Sequence, residues 1–530
     1  MITAIEIENF KSIGTPVRVE LKPITLLFGA NSSGKSTILQ CIHYAREVFD
    51  RRNLNADKTA TGGKFVDLGG FRNFVHGRDL NKAITLKFDL DLKGVEIPTY
   101  ITDGGKMALS NYDFPEINKP IQSAKNSITI AWSNFREEVY VQEYAVEING
   151  APLARITSQS GSPSVYINDI NYRHEVFPAA MEDIAILAEA EQNISASNGI
   201  QKPIRYSFWA IENQQDALPN WNSSLQLAMM VEPGTMEDSS DGTARAAFSL
   251  MDVLITLLSH LVVGPGQLLR DTLQAFRYLG PIRETPPRGY TPPNTPDPSR
   301  WSSGLAAWDL LTNGSEKLVQ EVSNWLSQPD RLNTNYRLER RRYKKLDISS
   351  PLVLSLVSGR AFDEADESRI NLQDLPTESQ VVLVSEKNGL DFLPHDIGIG
   401  ISQLLPIVVA ATENYERVLV IEQPELHVHP RIQSELGDLF IETSIGGQHE
   451  YLIETHSEHL ILRILRRIRE TSNGKPHNGI EVTGADIAVY FVNVDGDQTC
   501  ISRIDIDSKG DFVQPWPDDF FEIDFYERFA

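Results

Sequence analysis

Eight residues near the N-terminus carry the plainest chemistry in this sequence. Gly29-Ala30-Asn31-Ser32-Ser33-Gly34-Lys35-Ser36 satisfies the spacing G-x-x-x-x-G-K-[ST], and Thr37 follows. That spacing suits a polyphosphate. Successive backbone N–H groups can wrap a β-phosphate, and the glycines allow the close approach and unusual dihedrals. Lys35 supplies a compact positive charge for the β- and γ-phosphates. Ser36 supplies a hydroxyl for Mg²⁺.

A second group lies far downstream. Arg417-Val418-Leu419-Val420-Ile421-Glu422 is a base, four apolar residues and an acid. A buried strand ending in a carboxylate is what delivery of Glu422 to Mg²⁺ needs. Gln423-Pro424-Glu425-Leu426-His427 follows at once. Upstream, Gly398-Ile399-Gly400-Ile401-Ser402-Gln403 opens an apolar run. Glycines and a serine at a helix start can present N–H groups and a hydroxyl to a phosphate. Tyr451-Leu452-Ile453-Glu454-Thr455-His456-Ser457 closes an apolar strand on a histidine. His456 can donate to a γ-phosphate or position a water. Each of these alone has an ordinary reading: a helix cap, a surface acid, a structural histidine. In this order behind a phosphate loop they support one another.

The elements that must hold these residues can be read too. Ile24 to Phe28 is apolar except for Thr25, as a strand buried on both faces would be. Ile38, Cys41, Ile42 and Ala45 recur at helical spacing, so a helix follows the loop with its positive end toward the anion. The last third alternates: helix 402–413, strand 417–422, helix 431–443, strand 450–454, helix 457–470. That alternation predicts an α/β core with a largely parallel sheet. From about 93 to 270 the pattern is mixed. ITIAWSNF, EVYVQEYAVEI and SVYINDI read as a meander, and Ile184–Gln192 and Ala246–Leu269 as helical. This stretch is expected to form a mixed α/β inserted lid region. Seven prolines between 281 and 300 mark a loop or boundary. Val381 to Phe392 reads as a hairpin turning at Lys387-Asn388-Gly389. The expected domains are 1–92, 93–275, 276–470 and 471–530.

Bulk properties narrow the setting. A chain of 530 residues favours several structural units. Hydrophobic residues at 41% and charged residues at 23% exclude a collagen, a disordered chain and a disulfide scaffold. Net charge is 49 − 72 = −23, a field that repels nucleic acid and anionic membranes. The local exception is Arg337 to Lys345, with six positive charges against one negative. Arg340, Arg341 and Arg342 could track a nucleic-acid backbone. They equally fit a salt-bridged face. Two cysteines, Cys41 and Cys500, without a dense pattern suit a reducing cytoplasm. The apolar run Val253–Val263 falls short of the roughly 20 residues a bilayer needs and reads as a buried helix. Asp495-Gly496-Asp497 reads as a hairpin turn.

This order of motifs resembles the ABC-type ATPases. Within them it looks like the bacterial AAA-family branch allied to the overcoming-lysogenization-defect ATPases, with SMC and recombination-repair ATPases more distantly similar. The opening ITAIEIENFKSIGTPVRVELKPITLLFGANSSGKSTIL and YLGPIRETPPRGY carry the likeness. VQPWPDDFF resembles the small C-terminal domain of many such chains. The resemblance covers about 1–90 and 275–530. It implies an ABC-type ATPase core that uses ATP and Mg²⁺. It also implies a homodimer with two nucleotides sandwiched head to tail, the phosphate loop of one copy facing the signature of the other. Higher oligomers are compatible with it. Asn31, Ser32, Ser33, Gly34, Lys35, Ser36 and Thr37 are then the phosphate-binding residues. Ser36 and Glu422 attend Mg²⁺. Gly400, Ser402 and Gln403 complete the partner's site, and His456 is the switch histidine.

One position departs from that pattern. The family's catalytic glutamate falls on Gln423, which can orient water but is a poor base. Three readings stand open: a slow enzyme with Gln423 positioning water, Glu425 acting as the acid, or a Glu-to-Gln variant that traps ATP. The expected role is the sensor or motor of an antiphage or DNA-maintenance complex, with a separately encoded effector such as a nuclease. A fused nuclease is not expected, since few residues follow 470. The rival is an ATP-gated scaffold that barely hydrolyses and holds a partner inactive. A stand-alone DNA-binding protein is disfavoured by the charge.

Overall fold

The computed structural model describes residues 2–100, 117–162, 164–182, 184–186, 208–228, 253–358, 376–413, 417–447, 449–496 and 498–517. They fall into two units. The first comprises Met1–Gly62, Val66–Phe276 and Ile487–Asp505; the second comprises Gly63–Phe65, Arg277–Asp486 and Ile506–Ala530.

The strands of the first unit begin with β1 (Ile2–Glu8), β2 (Val17–Glu20), β3 (Ile24–Phe28) and β4 (Ile84–Asp91). They continue with β5 (Ser123–Ser133), β6 (Glu138–Ile148), β7 (Ala151–Ser158), β8 (Val165–Asn168), β9 (Phe208–Ile211) and β10 (Leu227–Ala228). All but β3 join in one sheet of order β10-β9-β8-β7-β6-β5-β4-β1-β2. Every neighbouring pair in it is antiparallel. Burial alternates along β4 and β5, as it must where one face is covered and the other wet. The inserted stretch therefore does not stand apart. Its strands β5 to β10 extend the sheet that β1, β2 and β4 begin.

The helix Val253–Ala275 belongs to this unit's core. It is long and apolar enough to cross a membrane by length and composition, and 72% of its most apolar window is buried. It continues past the apolar run Val253–Val263 to Ala275, beyond the expected end at Leu269, and the reason is local. Ser259–Val263 forms a wide π turn just before Gly264-Pro265-Gly266, which admits the proline ring without ending the helix. The Tyr144 hydroxyl donates to the Val262 carbonyl at 3.0 Å and satisfies a group that the wide turn frees. Ile184–Gln192 and Ala246–Leu269 lie only partly within the described residues.

β3 is buried at all five positions. It pairs parallel with Ile487–Asp495, from Ile24 opposite Ile487 to Phe28 opposite Phe491. That strand pairs antiparallel with Gln498–Ile504, with Asp495 opposite Gln498 as a hairpin requires; Asp497 lies outside the described residues. Residues 487–505 thus sit with the phosphate loop rather than with the segment just before them.

The second unit holds the other motifs. Arg277–Leu279, Arg417–Glu422 and His449–Glu454 run parallel, with Glu422 opposite Glu454. The helix Ile399–Thr412 is buried continuously from Ser402 to Thr412. Pro430–Ser444 and Glu458–Ser472 follow the two site strands. A separate antiparallel sheet contains Tyr336–Lys344, Thr377–Ser385 and Asp391–Phe392. The parallel strands expected of the core are the ones that carry the motifs. The larger sheet of the chain is antiparallel.

Candidate functional site

The phosphate loop is held by shape before it is held by bonds. Gly29 has φ +143°, and a Cβ there would stand 2.0 Å from the Val492 carbonyl oxygen. Gly34 has φ +104°, and a Cβ there would stand 2.2 Å from Thr499 Oγ1. Only glycine fits either position. Thr499 Oγ1 donates to the Ser33 carbonyl at 3.0 Å and lies 2.7 Å from Ser12 Oγ. The Thr499 N–H donates to the Ser12 carbonyl at 2.8 Å. Ser12 Oγ in turn lies 3.4 Å from Thr37 Oγ1, so the Thr37 hydroxyl faces inward.

Lys35 is 3% exposed, and its ammonium donates to the carbonyls of Gly29 at 2.9 Å and Ala30 at 2.7 Å. Asn31 and Ser32 are exposed, and Ser36 is half-buried. Ser33 Oγ is buried with no hydrogen-bond partner among the described residues. Helix Lys35–Arg51 starts without a side-chain cap. An uncapped helix N-terminus, an ammonium resting on loop carbonyls and an orphaned hydroxyl together fit a polyphosphate oxyanion. Ser12 and Thr499 are absent from the sequence reading. Thr499 lies 466 residues from the loop it braces, and no spacing signals it.

In the second unit Glu422 ends its strand buried, and the Tyr278 hydroxyl donates to its Oε1 at 2.9 Å. Burial and the neighbouring Glu422 push the Tyr278 phenol well up, so it stays protonated and donates. The chain then folds into tight turns. Gln423 has φ +43° and His427 φ +62°. The Gln423 N–H donates to the Glu454 carbonyl at 2.8 Å and extends the strand pairing by one residue.

Glu425 is aimed inward. Its Oε2 accepts from Thr455 Oγ1 at 2.8 Å, and its Oε1 accepts from the His456 N–H at 2.7 Å. The turn that carries Glu425 is thereby bonded to the end of the strand that carries His456. Burial raises the Glu425 pKa, against the pull of those donors and of Arg283.

The signature residues also face inward. Ser402 is 2% exposed, and its Oγ donates to the Ile399 carbonyl at 2.9 Å. Gln403 is 4% exposed and forms a reciprocal pair with the Arg283 backbone: Oε1 accepts from its N–H at 2.9 Å and Nε2 donates to its carbonyl at 2.5 Å. A Cβ on Gly400 would approach the His427 carbonyl oxygen to 2.8 Å. The outward groups of this helix start are Gly398 and Ile399. Among the described residues no three His, Cys, Asp or Glu side chains are grouped to hold a metal.

The basic run is a strand, Tyr336–Lys344, and its arginines are engaged inside the unit. The Arg340 side chain is 2% exposed. Its Nη1 donates to the Gly314 carbonyl at 2.6 Å, at the end of helix Leu305–Asn313, and its Nη2 pairs with Glu316 at 2.5 Å. Arg341 pairs with Asp391 and Glu339, and Arg342 with Glu316. Arg463 and Arg467 pair with Asp438 across two helices.

Comparison with known families matches two stretches of the chain. A family model described as "AAA ATPase domain" matches residues 1–195. A second, described as "AAA domain, putative AbiEii toxin, Type IV TA system", matches residues 288–463. The first matched stretch takes in the phosphate loop, and the second takes in Gly400 to His456. A comparison with curated proteins found no match. Among solved structures, an SmcHead bound to the C-winged helix domain of ScpA aligns over 96% of this chain and 98% of its own at 9% identity, with a TM-score of 0.38. The SMC head domain from Thermotoga maritima aligns over 95% and 99% at 8% identity, with a TM-score of 0.34. The Pyrococcus furiosus Smc head domain bound to the C-terminal domain of ScpA aligns over 95% and 96% at 10% identity, with a TM-score of 0.36.

Proposed function

We propose that this chain is an ABC-type ATPase that binds ATP with Mg²⁺ and works as a cytoplasmic homodimer. The observation that supports it most is the phosphate loop itself. Two glycines are locked by Val492 and Thr499, Lys35 rests on loop carbonyls, and the Ser33 hydroxyl has no hydrogen-bond partner among the described residues. The loop N–H groups and Lys35 bind the phosphates. Ser36 and Glu422 are the groups proposed for Mg²⁺, which when bound neutralises charge on the phosphate oxygens. Tyr278 keeps the Glu422 carboxylate oriented through its hydrogen bond. Gln423 orients water without taking its proton, which gives a slow enzyme. Glu425, with both oxygens turned to Thr455 and His456, serves as a clamp that positions His456. Gly398 to Gln403 of one copy faces the phosphate loop of the other, so nucleotide holds the pair together.

Calorimetry tests this reading directly. Mg-ATP binds the full chain, and Lys35→Ala abolishes the heat of binding. Absence of binding by the unaltered chain removes the proposal.

The role proposed is the sensor or motor of an antiphage or DNA-maintenance complex with a separately encoded effector. The toxin–antitoxin wording of the 288–463 match is in keeping with a two-protein system. Purification from the native operon brings down the effector if this is right. A second reading is favoured by Gln423: a scaffold that binds ATP, turns it over hardly at all and keeps its partner inactive.

A further inference from the structure

Arg283 is a fully buried arginine, 1% exposed, in a loop that follows the strand Arg277–Leu279. Burial lowers its pKa to about 10, against the pull of Glu425, Tyr278 and Glu422, so it remains a cation. A buried cation is costly to keep and is usually paired with a carboxylate. Among the described residues no carboxylate lies within ion-pair distance of it. Its guanidinium instead reaches main-chain oxygens: Nη2 donates to the Glu422 carbonyl at 2.6 Å and Nη1 to the Gln423 carbonyl at 3.4 Å. Those two peptides bracket the point where the chain enters the left-handed conformation of Gln423. A non-glycine residue in that conformation persists only where its surroundings hold it.

The backbone of Arg283 is itself held by a single side chain. Gln403 both accepts from the Arg283 N–H and donates to its carbonyl. Gln403 lies in the first turns of helix Ile399–Thr412, beside Ser402. A continuous path therefore runs from the helix start to Arg283 and from there to the peptides of Glu422 and Gln423.

We propose that Arg283 is a positioning residue that couples the start of the Ile399–Thr412 helix to the Glu422–Gln423 turn, through the Gln403 side chain on one side and the guanidinium fork on the other. Displacement of the helix start moves the Arg283 backbone, and the fork carries that movement to the two residues that orient Mg²⁺ and water. A lysine cannot replace the fork, because a point charge on a flexible stem reaches one carbonyl and not two. The effect on turnover rests on the ATPase reading. The mechanical coupling does not, and it can be measured without nucleotide.

The experiment compares the full chain with Arg283→Lys, Gln403→Ala and the double variant. Amide hydrogen exchange without nucleotide reads the coupling. In Gln403→Ala, exchange rises at least about tenfold for the amides of 423–428, which Gln403 does not bond, while residues 29–40 stay protected as before. Unchanged exchange at 423–428 overturns the proposal, whatever the chain does with ATP. Steady-state turnover is the second readout. Arg283→Lys lowers kcat about tenfold or more with the calorimetric Kd for Mg-ATP unchanged within about twofold. The double variant is no slower than the slower single one, as residues of one path require. Losses in kcat that multiply, or a kcat that Arg283→Lys leaves intact in a hydrolysing protein, also overturn it. A chain that binds ATP without hydrolysing it ends the slow-enzyme reading and leaves the exchange result to decide the coupling.

Discussion

The proposed rate of this chain turns on Gln423. Gln423 occupies the turn just after the buried Glu422, in a conformation with φ +43°. An amide can hold a water but cannot take its proton. Gln423→Glu supplies the missing base, and steady-state phosphate release rises about a hundredfold if general-base catalysis is all that is lacking. An unchanged rate supports the scaffold reading instead. Gly34 was legible as part of a motif, but its necessity is visible only in space. Its Cβ would meet Thr499 Oγ1 at 2.2 Å with φ at +104°. Gly34→Ala costs about 1–3 kcal/mol of strain and displaces either Thr499 or the loop. Calorimetry then shows Mg-ATP affinity reduced at least about tenfold. Ser402 and Gln403 are a different lesson. Position at a helix start offered Ser402 to a phosphate, and the family resemblance placed Gln403 with it; their side chains are bonded inside the unit, because a buried amide or hydroxyl must find partners there.

At the scale of elements, the strand and helix order from 399 to 472 follows the sequence reading within three residues at each end. Long apolar runs cut by polar turns leave few alternatives there. What holds these elements together was not legible. Asp438 is 2% exposed and accepts from Arg467 Nε at 2.6 Å and Nη2 at 2.7 Å, with Arg463 bonded to it as well. Asp438→Ala leaves two cations without their shared anion. Stability falls by about 3–5 kcal/mol, read as a lower urea midpoint. Glu425 joins the Gln423 turn to the switch, and its raised pKa gives this joint a pH dependence. The folded chain keeps its proton at pH values where the unfolded chain has already lost it. Its contribution is complete below the ordinary value of 4.5 and declines as pH rises through the raised one. Glu425→Gln does not titrate. The Tm advantage of the unaltered chain over this variant is therefore largest at the acid end and narrows toward neutral pH.

The whole chain is proposed to act as two copies. The helix start that would face a second copy exposes Ile399, 57% accessible, beside Gly398. Ile399→Arg puts a charge on that surface without touching the buried Ser402 or Gln403. Sedimentation with Mg-ATP shows the mass of the unaltered chain doubling and that of Ile399→Arg staying single, with ATP affinity of the single copy preserved. A variant that still dimerises places the contact elsewhere.

The sequence by itself determined the local pattern: a glycine-rich loop with Lys35 and Ser36 between strand and helix, a carboxylate at the end of an apolar strand, a histidine at the end of another. Each is written in neighbouring residues, because backbone hydrogen bonding and side-chain periodicity are short-range in the chain. Only the tertiary structure decided which residues brace those groups. Thr499 behind Gly34, Arg283 beneath Gln423 and Tyr278 on Glu422 are brought in from remote positions by strand pairing and core burial. Partners for buried polar atoms are chosen by proximity in space, and composition or spacing carries no record of that choice.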